Sequence, residues 1–141
     1  MGDVPPEILD RLRPICLGLP ETYEEPAWIG TRWRVRKRTF AHVLTIEPGD
    51  AGVHARAAAA RGKGPMTLMT FRAPAEELDA LGNAGPPYFR ARWGRDVVGL
   101  VFNRRTDWAE VAELLTDSFC VLAPQKLIAR VDRPTTHRAN G

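Results

Sequence analysis

The sequence predicts an α+β fold, a single compact domain whose antiparallel sheet packs against helices at the N- and C-terminal ends. Three observations carry that prediction. Stretches near the two ends, residues 8–19 and 108–122, repeat apolar side chains at helical spacing. Between them, residues 33–46 and 85–102 follow the two-residue period of strands. The chain has 141 residues, 44% of them apolar and 26% charged, which suits one domain with its own core. The domain is expected to span 1–131 and to leave 132–141 as a disordered tail.

Residues 5–19 read as the first helix. Ile8, Leu12, Ile15, Cys16 and Leu19 share one face. Pro5 or Pro6 suits the first turn, but Pro14 predicts a kink or break, and Gly18 with Pro20 marks the exit. Residues 21–30 read as a connector. A hairpin follows, with Trp33 and Val35 on one side and Arg32, Arg34 and Arg36 on the other. Lys37 and Arg38 are expected in its turn, and residues 40–46 return as the second strand. Residues 47–64 are rich in glycine and alanine and read as a long loop, or as a loop holding a short helix over 53–61.

Residues 66–71 form the next strand, and Pro74 opens a short helix over 73–81 that Gly82 ends. Residues 85–102 then make a ribbon of two arms around Gly94-Arg95-Asp96. The first arm puts Phe89, Ala91 and Trp93 on one face and Arg90 and Arg92 on the other. The second is apolar on both faces, with Val98, Leu100 and Phe102 opposite Val97 and Val101, so it is expected to be a central strand. Asp107 and Glu110 have capping-box spacing at the start of the clearest helix. Its apolar stripe is Trp108, Val111, Ala112, Leu115, Phe119 and Leu122; Pro124 interrupts, and residues 125–131 add a last turn or two.

Composition excludes several function classes. No apolar run approaches the ~20 residues of a membrane span, so no membrane partner is expected. The first residues show no basic stretch followed by an apolar core, so no secretory leader is expected. Gly2 follows Met1, but Pro6 stands where a myristoylation signal needs Ser or Thr. The two cysteines, Cys16 and Cys120, lie among apolar helical neighbours and read as buried thiols of a reduced, cytoplasmic protein. A monomer is expected. Of 20 basic residues only Lys37, Lys63 and Lys126 are lysine, which leaves 17 arginines in a chain of net charge +3.

In this order the elements resemble the MmcQ/YjbR family. The resemblance rests on three pieces: Ile15-Cys16-Leu17-Gly18-Leu19-Pro20-Glu21 with Glu24-Glu25, then Trp33-Arg34-Val35-Arg36-Lys37-Arg38-Thr39-Phe40-Ala41, and then Tyr88-Phe89-Arg90-Ala91 through Val97-Val98-Gly99-Leu100 to Asp107-Trp108 and Ala123-Pro124-Gln125-Lys126-Leu127. The chain departs from the family in the hairpin turn, where Arg36-Lys37-Arg38 replaces a small, Gly-containing turn. The resemblance implies a double-wing fold similar to the CyaY (frataxin-like) architecture and to a phage transcription-factor domain. It implies DNA binding and carries no enzyme activity or cofactor.

The candidate nucleic-acid surface is Arg32, Arg34, Arg36, Lys37 and Arg38 on the hairpin with Arg90, Arg92 and Arg95 on the ribbon. Guanidinium groups pair phosphate oxygens in bidentate fashion, and Trp33 or Trp93 would stack on an unpaired base. Such contacts give weak, largely sequence-independent binding. The competing account is an ordinary solvated strand face whose arginines pair with Glu24, Glu25 or Asp96. The alternative function is a protein- or small-ligand-binding module whose groove gathers Trp28, Trp33, Tyr88 and Trp93.

No catalytic constellation is visible. Glu24 and Glu25 are adjacent connector carboxylates and do not converge, and the first helix offers only Glu7 and Asp10 as a metal-binding ridge. His42, His54 and His137 are scattered and the cysteines distant, so neither metal nor cofactor is expected. Ser118, the only serine, sits inside a helix. Gly62-Lys63-Gly64-Pro65 lacks the first glycine and the Ser/Thr of a phosphate loop.

Overall fold

The computed structural model describes residues 3–47, 65–91 and 95–131. Its elements run α1 (Pro6–Leu17), β1 (Tyr23–Pro26), β2 (Thr31–Val35), β3 (Arg38–Ile46), β4 (Met66–Arg72), α2 (Ala75–Gly82), β5 (Tyr88–Arg90), β6 (Val97–Val101), α3 (Trp108–Leu122) and α4 (Gln125–Ile128). The strands make one antiparallel six-stranded sheet in the order β1-β2-β3-β4-β6-β5. The α+β expectation holds, with α1 and α3 supplying the helical layer at the two ends of the chain. The expected loop over 47–64, the tail, and residues 92–94, which hold the end of the expected first arm and the first turn residue, fall largely or wholly outside the described residues.

Strand alternation splits the apolar residues into two clusters. On the helix side Trp33, Val35, Ala41, Val43, Met69, Phe71, Val98 and Leu100 pack against Leu12 and Cys16 of α1 and Val111, Leu115 and Phe119 of α3. On the other side Leu44, Ile46, Leu68, Phe89, Val97 and Val101 form a second cluster. β6 feeds both, and all five of its residues are buried, as expected of a central strand. Gly99 is the one residue of β6 without a side chain, and the Phe89 ring of β5 fills that space: a Cβ at Gly99 would lie 2.0 Å from it.

The expected break in α1 does not occur, and the expected connector is corrected. α1 runs unbroken through Pro14. Pro14 and Asp10 are both exposed, so water can serve the carbonyl that the missing N–H leaves over. The expected connector contains β1. Tyr23-Glu24-Glu25-Pro26 has poor strand composition, but it pairs with β2 as an edge strand, where charge and proline are tolerated.

The β2–β3 turn is also shifted. Its two loop residues are Arg36 and Lys37, at φ +51° and +66°, while Arg38 already begins β3 opposite Val35. Positive φ at both positions is the type I′ pattern that favours Asn-Gly, which the hairpin twist demands and these side chains oppose. Next to it, Trp33 pairs with Ala41 but Arg34 pairs with Thr39, so Phe40 is the extra residue of a bulge. Phe40 turns toward α3 and meets Phe119 edge-on at 5.8 Å.

Asp107 caps α3 as expected, accepting from the N–H groups of Ala109 and Glu110 at 3.0 and 3.2 Å. Trp108 stacks on Phe102 at 5.2 Å and lies under the Arg11 guanidinium of α1, 5.4 Å from the ring centre. The helical layer is thereby tied to itself and to the end of β6.

Candidate functional site

One row of paired residues crosses the sheet face opposite the helices. Glu25 pairs with Arg32, Arg32 with His42, His42 with Thr70, Thr70 with Gly99 and Gly99 with Phe89. This row passes through a cleft of about 480 Å³. Its walls are mainly apolar, including Ile29, Leu44 and Val97, and its polar groups are Arg32, Thr39, His42, Thr70 and Arg72.

The β1–β2 turn forms the rim. Ala27 N–H donates to the Gly30 carbonyl at 3.0 Å, leaving Trp28 and Ile29 at the tip. Ile29 packs on the second core cluster. Gly30 has φ +77° and lies so close to β3 that a Cβ there would be 1.9 Å from the Val43 carbonyl oxygen. His42 Nε2 is 2.5 Å from the Ile29 carbonyl oxygen. A carbonyl only accepts, so Nε2 carries the proton in that contact. The turn is pinned at both Ile29 and Gly30, while Trp28 between them is 95% exposed.

The hairpin arginines alternate as predicted, but their charge is largely matched. Glu25 takes Arg32 and, at 3.1 Å, Arg34. Arg34 also donates to the Lys37 carbonyl. Burial alone would raise the Glu25 carboxyl, but the hydrogen bonds and charges of Arg32 and Arg34 outweigh it and hold the group below its ordinary value. Arg36, a turn residue rather than a strand residue, pairs with Glu21 at 3.3 Å, and Arg90 pairs with Asp79 at 3.3 Å. Lys37, Arg38 and Arg95 are exposed and have no ion-pair partner among the described residues. Arg92 lies outside them.

The four-residue aromatic groove does not form as expected. Trp33 is fully buried on the helix side and donates Nε1–H to Glu24 at 3.0 Å, a carboxylate also held by Arg13 at 3.1 Å. It has no face open to a base. Trp28 is across the sheet from it. Tyr88 belongs to a separate recess of about 270 Å³ with Pro87, Asp107 and Glu110. Burial first, then the Glu110 and Asp107 carboxylates, push its phenol well up. Trp93 lies outside the described residues. Burial likewise pushes the Cys16 thiol well up, reinforced by Glu24, which disfavours the thiolate form a nucleophile needs. Among the described residues no group of three or more His, Cys, Asp or Glu is placed to hold a metal ion.

Sequence reasoning missed Thr70 and Arg72 as cleft residues. Arg72 ends an otherwise apolar and threonine-bearing strand, and it binds Asp96 at 2.7 Å across the chain reversal before β6. A lone arginine closing a buried strand was the available signal.

Comparison with known proteins agrees with this architecture. A family model described as YjbR matches residues 17–121. The crystal structure of a protein from Pseudomonas syringae, a structural-genomics target, is similar with a TM-score of 0.60 and 14% sequence identity, over 83% of this chain and 97% of that one. At that identity the likeness concerns the fold alone. No curated protein matches the chain.

Proposed function

The chain belongs to the YjbR family, and from that premise and the open-face cleft we propose that it is a binding module for a small ligand rather than an enzyme. The family match names no function, so the site carries the functional reading. The supporting observation is Trp28, a large aromatic side chain left 95% exposed on a turn pinned by Gly30 and His42 at the mouth of an apolar cleft. A tryptophan on a fixed backbone turn has only two side-chain torsions to order when it closes on a ligand.

Fragment screening by amide chemical shifts tests this. Hits are expected to move the signals of residues 27–30, His42 and Thr70 together. Trp28→Ala is expected to weaken them about ten-fold, the scale of one lost aromatic contact, with stability changed by less than about 0.5 kcal/mol. Hits scattered over the surface would overturn the proposal.

A second reading, nucleic-acid binding at the hairpin tip, is favoured by Lys37 and Arg38, which lack an acidic partner among the described residues. One variant separates charge from fold. Arg36→Asn with Lys37→Gly supplies the residues that the positive φ values favour, and is expected to stabilise the protein by about 1 kcal/mol. It also removes two cations. If the tip holds phosphates, anisotropy of labelled single- and double-stranded DNA will show a log–log salt slope smaller by about 1 for this more stable protein, the share of Lys37, since Arg36 is already paired with Glu21. An unchanged slope would remove Lys37 and the turn from the binding surface.

A further inference from the structure

The charged groups among the described residues lining the cleft are all cationic. Arg32 and Arg72 line it, and no carboxylate does. Each guanidinium is gripped by an acid that is not part of that lining. Glu25 takes Nε and Nη2 of Arg32, and Asp96 takes Nη1 of Arg72 at 2.7 Å. A guanidinium has five N–H donors, so neither contact exhausts its arginine. Glu25 is also shared with Arg34, so the Arg32 end keeps one positive charge in excess.

The register sets the scale. Arg32 pairs with His42 and His42 with Thr70, two residues before Arg72 on the same face. Two strand spacings and one two-residue step put the two arginine Cα atoms roughly 12 Å apart. The cleft between them, about 480 Å³, has the volume for a fused-ring molecule. Trp28, four residues before Arg32 in the same hairpin, provides a flat wall. Arginine held by a partner carboxylate is already ordered, so it loses little entropy on meeting a second oxyanion.

Resting on the cleft reading, we propose that the ligand is an organic anion with a flat apolar body, its carboxylate or phosphate held by Arg32 and its rings laid against Trp28. The anionic group approaches the Arg32 edge that Glu25 leaves over, and Arg72 closes the far side of the cleft.

Three probes on the full chain test this: 2-naphthoate, 2-naphthyl phosphate and neutral 2-naphthylmethanol, titrated by amide and indole chemical shifts. At least one of the two anions is expected to bind about ten-fold or more tighter than the alcohol, the scale of one charge-assisted hydrogen bond. A preference confined to one anion identifies the oxyanion as carboxylate or phosphate. Arg32→Gln is expected to erase the preference, bringing the anions to the affinity of the alcohol, while the fold is kept because Glu25 retains Arg34 as its partner. Arg32→Lys, which keeps the charge but not the fork, is expected to fall between. Equal affinity for all three probes at the cleft would overturn the anion assignment and leave the cleft reading standing. A preference that survives Arg32→Gln would also overturn it. Failure of all three to move residues 27–30 and His42 would overturn both.

Discussion

Replacing Gly30 with alanine is expected to lower the stability by about 3 kcal/mol and to release the Trp28 turn. Two costs combine. The backbone sits at φ +77°, where a Cβ is strained whatever space it meets. The Cβ would also lie 1.9 Å from the Val43 carbonyl oxygen, 2.9 Å from its carbon and 3.0 Å from the Leu44 Cα. All three are backbone atoms of β3, which is paired on both sides and cannot rotate away. The turn must therefore lift off the sheet, taking the Ile29 carbonyl from His42. Gly85 is the matched control: its φ is +84°, but nothing lies within 4 Å of its Cβ position. Gly85→Ala should cost only the left-handed term, about 1 kcal/mol. Urea denaturation of the two variants measures the difference. Equal losses would show that β3 does not pin the turn. Amide shifts at residues 27–30 should move far more in Gly30→Ala than shifts across the rest of the sheet.

Much of this fold is written as period. α1 and α3 announce themselves because the residues that face the core recur at helical spacing, and β6 because its apolar run is unbroken on both faces. Trp33 and Val35 were assigned correctly to one side of β2 on alternation alone. β1 escaped because Tyr23-Glu24-Glu25-Pro26 has no strand character of its own. Its conformation comes from the edge that β2 offers, a tertiary cause. α1 defeated a sound local rule, because a proline interior is tolerated where its orphaned carbonyl faces water.

The site was less legible, and register is the reason. Alternation placed Arg32 and Arg34 on one face, but only the β1–β2 pairing brings Glu25 opposite Arg32 and lets one carboxylate hold both arginines. Asp79 reaches Arg90 from α2, and no spacing in the chain encodes that contact. The tryptophans were grouped by residue type, whereas the sheet separates them: Trp33 is sealed on the helix side and Trp28 stands open on the other. The close approach of Gly30 to Val43, which fixes the turn that carries Trp28, depends on the strand pairing of Thr31 with Val43.

Removing the Ser118 hydroxyl is expected to cost about 2–3 kcal/mol, a large effect for one oxygen atom. Ser118 is fully buried in α3, where its position in the sequence suggested only a helical residue. Its Oγ donates to the Phe40 carbonyl at 2.6 Å and accepts from the Arg72 N–H at 2.7 Å. Both partners are places where the sheet leaves a backbone group over. Phe40 is the bulge residue skipped by the β2–β3 pairing, and Arg72 is the last residue of β4. Ser118→Ala therefore strands a buried acceptor and a part-buried donor together, and an alanine methyl replaces neither bond. The effect should be local before it is global. Hydrogen exchange at the Arg72 amide is expected to accelerate more than at Leu68 or Met69 in the same strand, because their ladder partners are untouched. Arg72 also lines the cleft, so loosening its backbone should weaken an anionic ligand without touching Trp28 or Arg32. A loss below about 1 kcal/mol, with Arg72 exchange unchanged, would mean that water replaces the hydroxyl and that α3 holds the sheet by apolar contact alone.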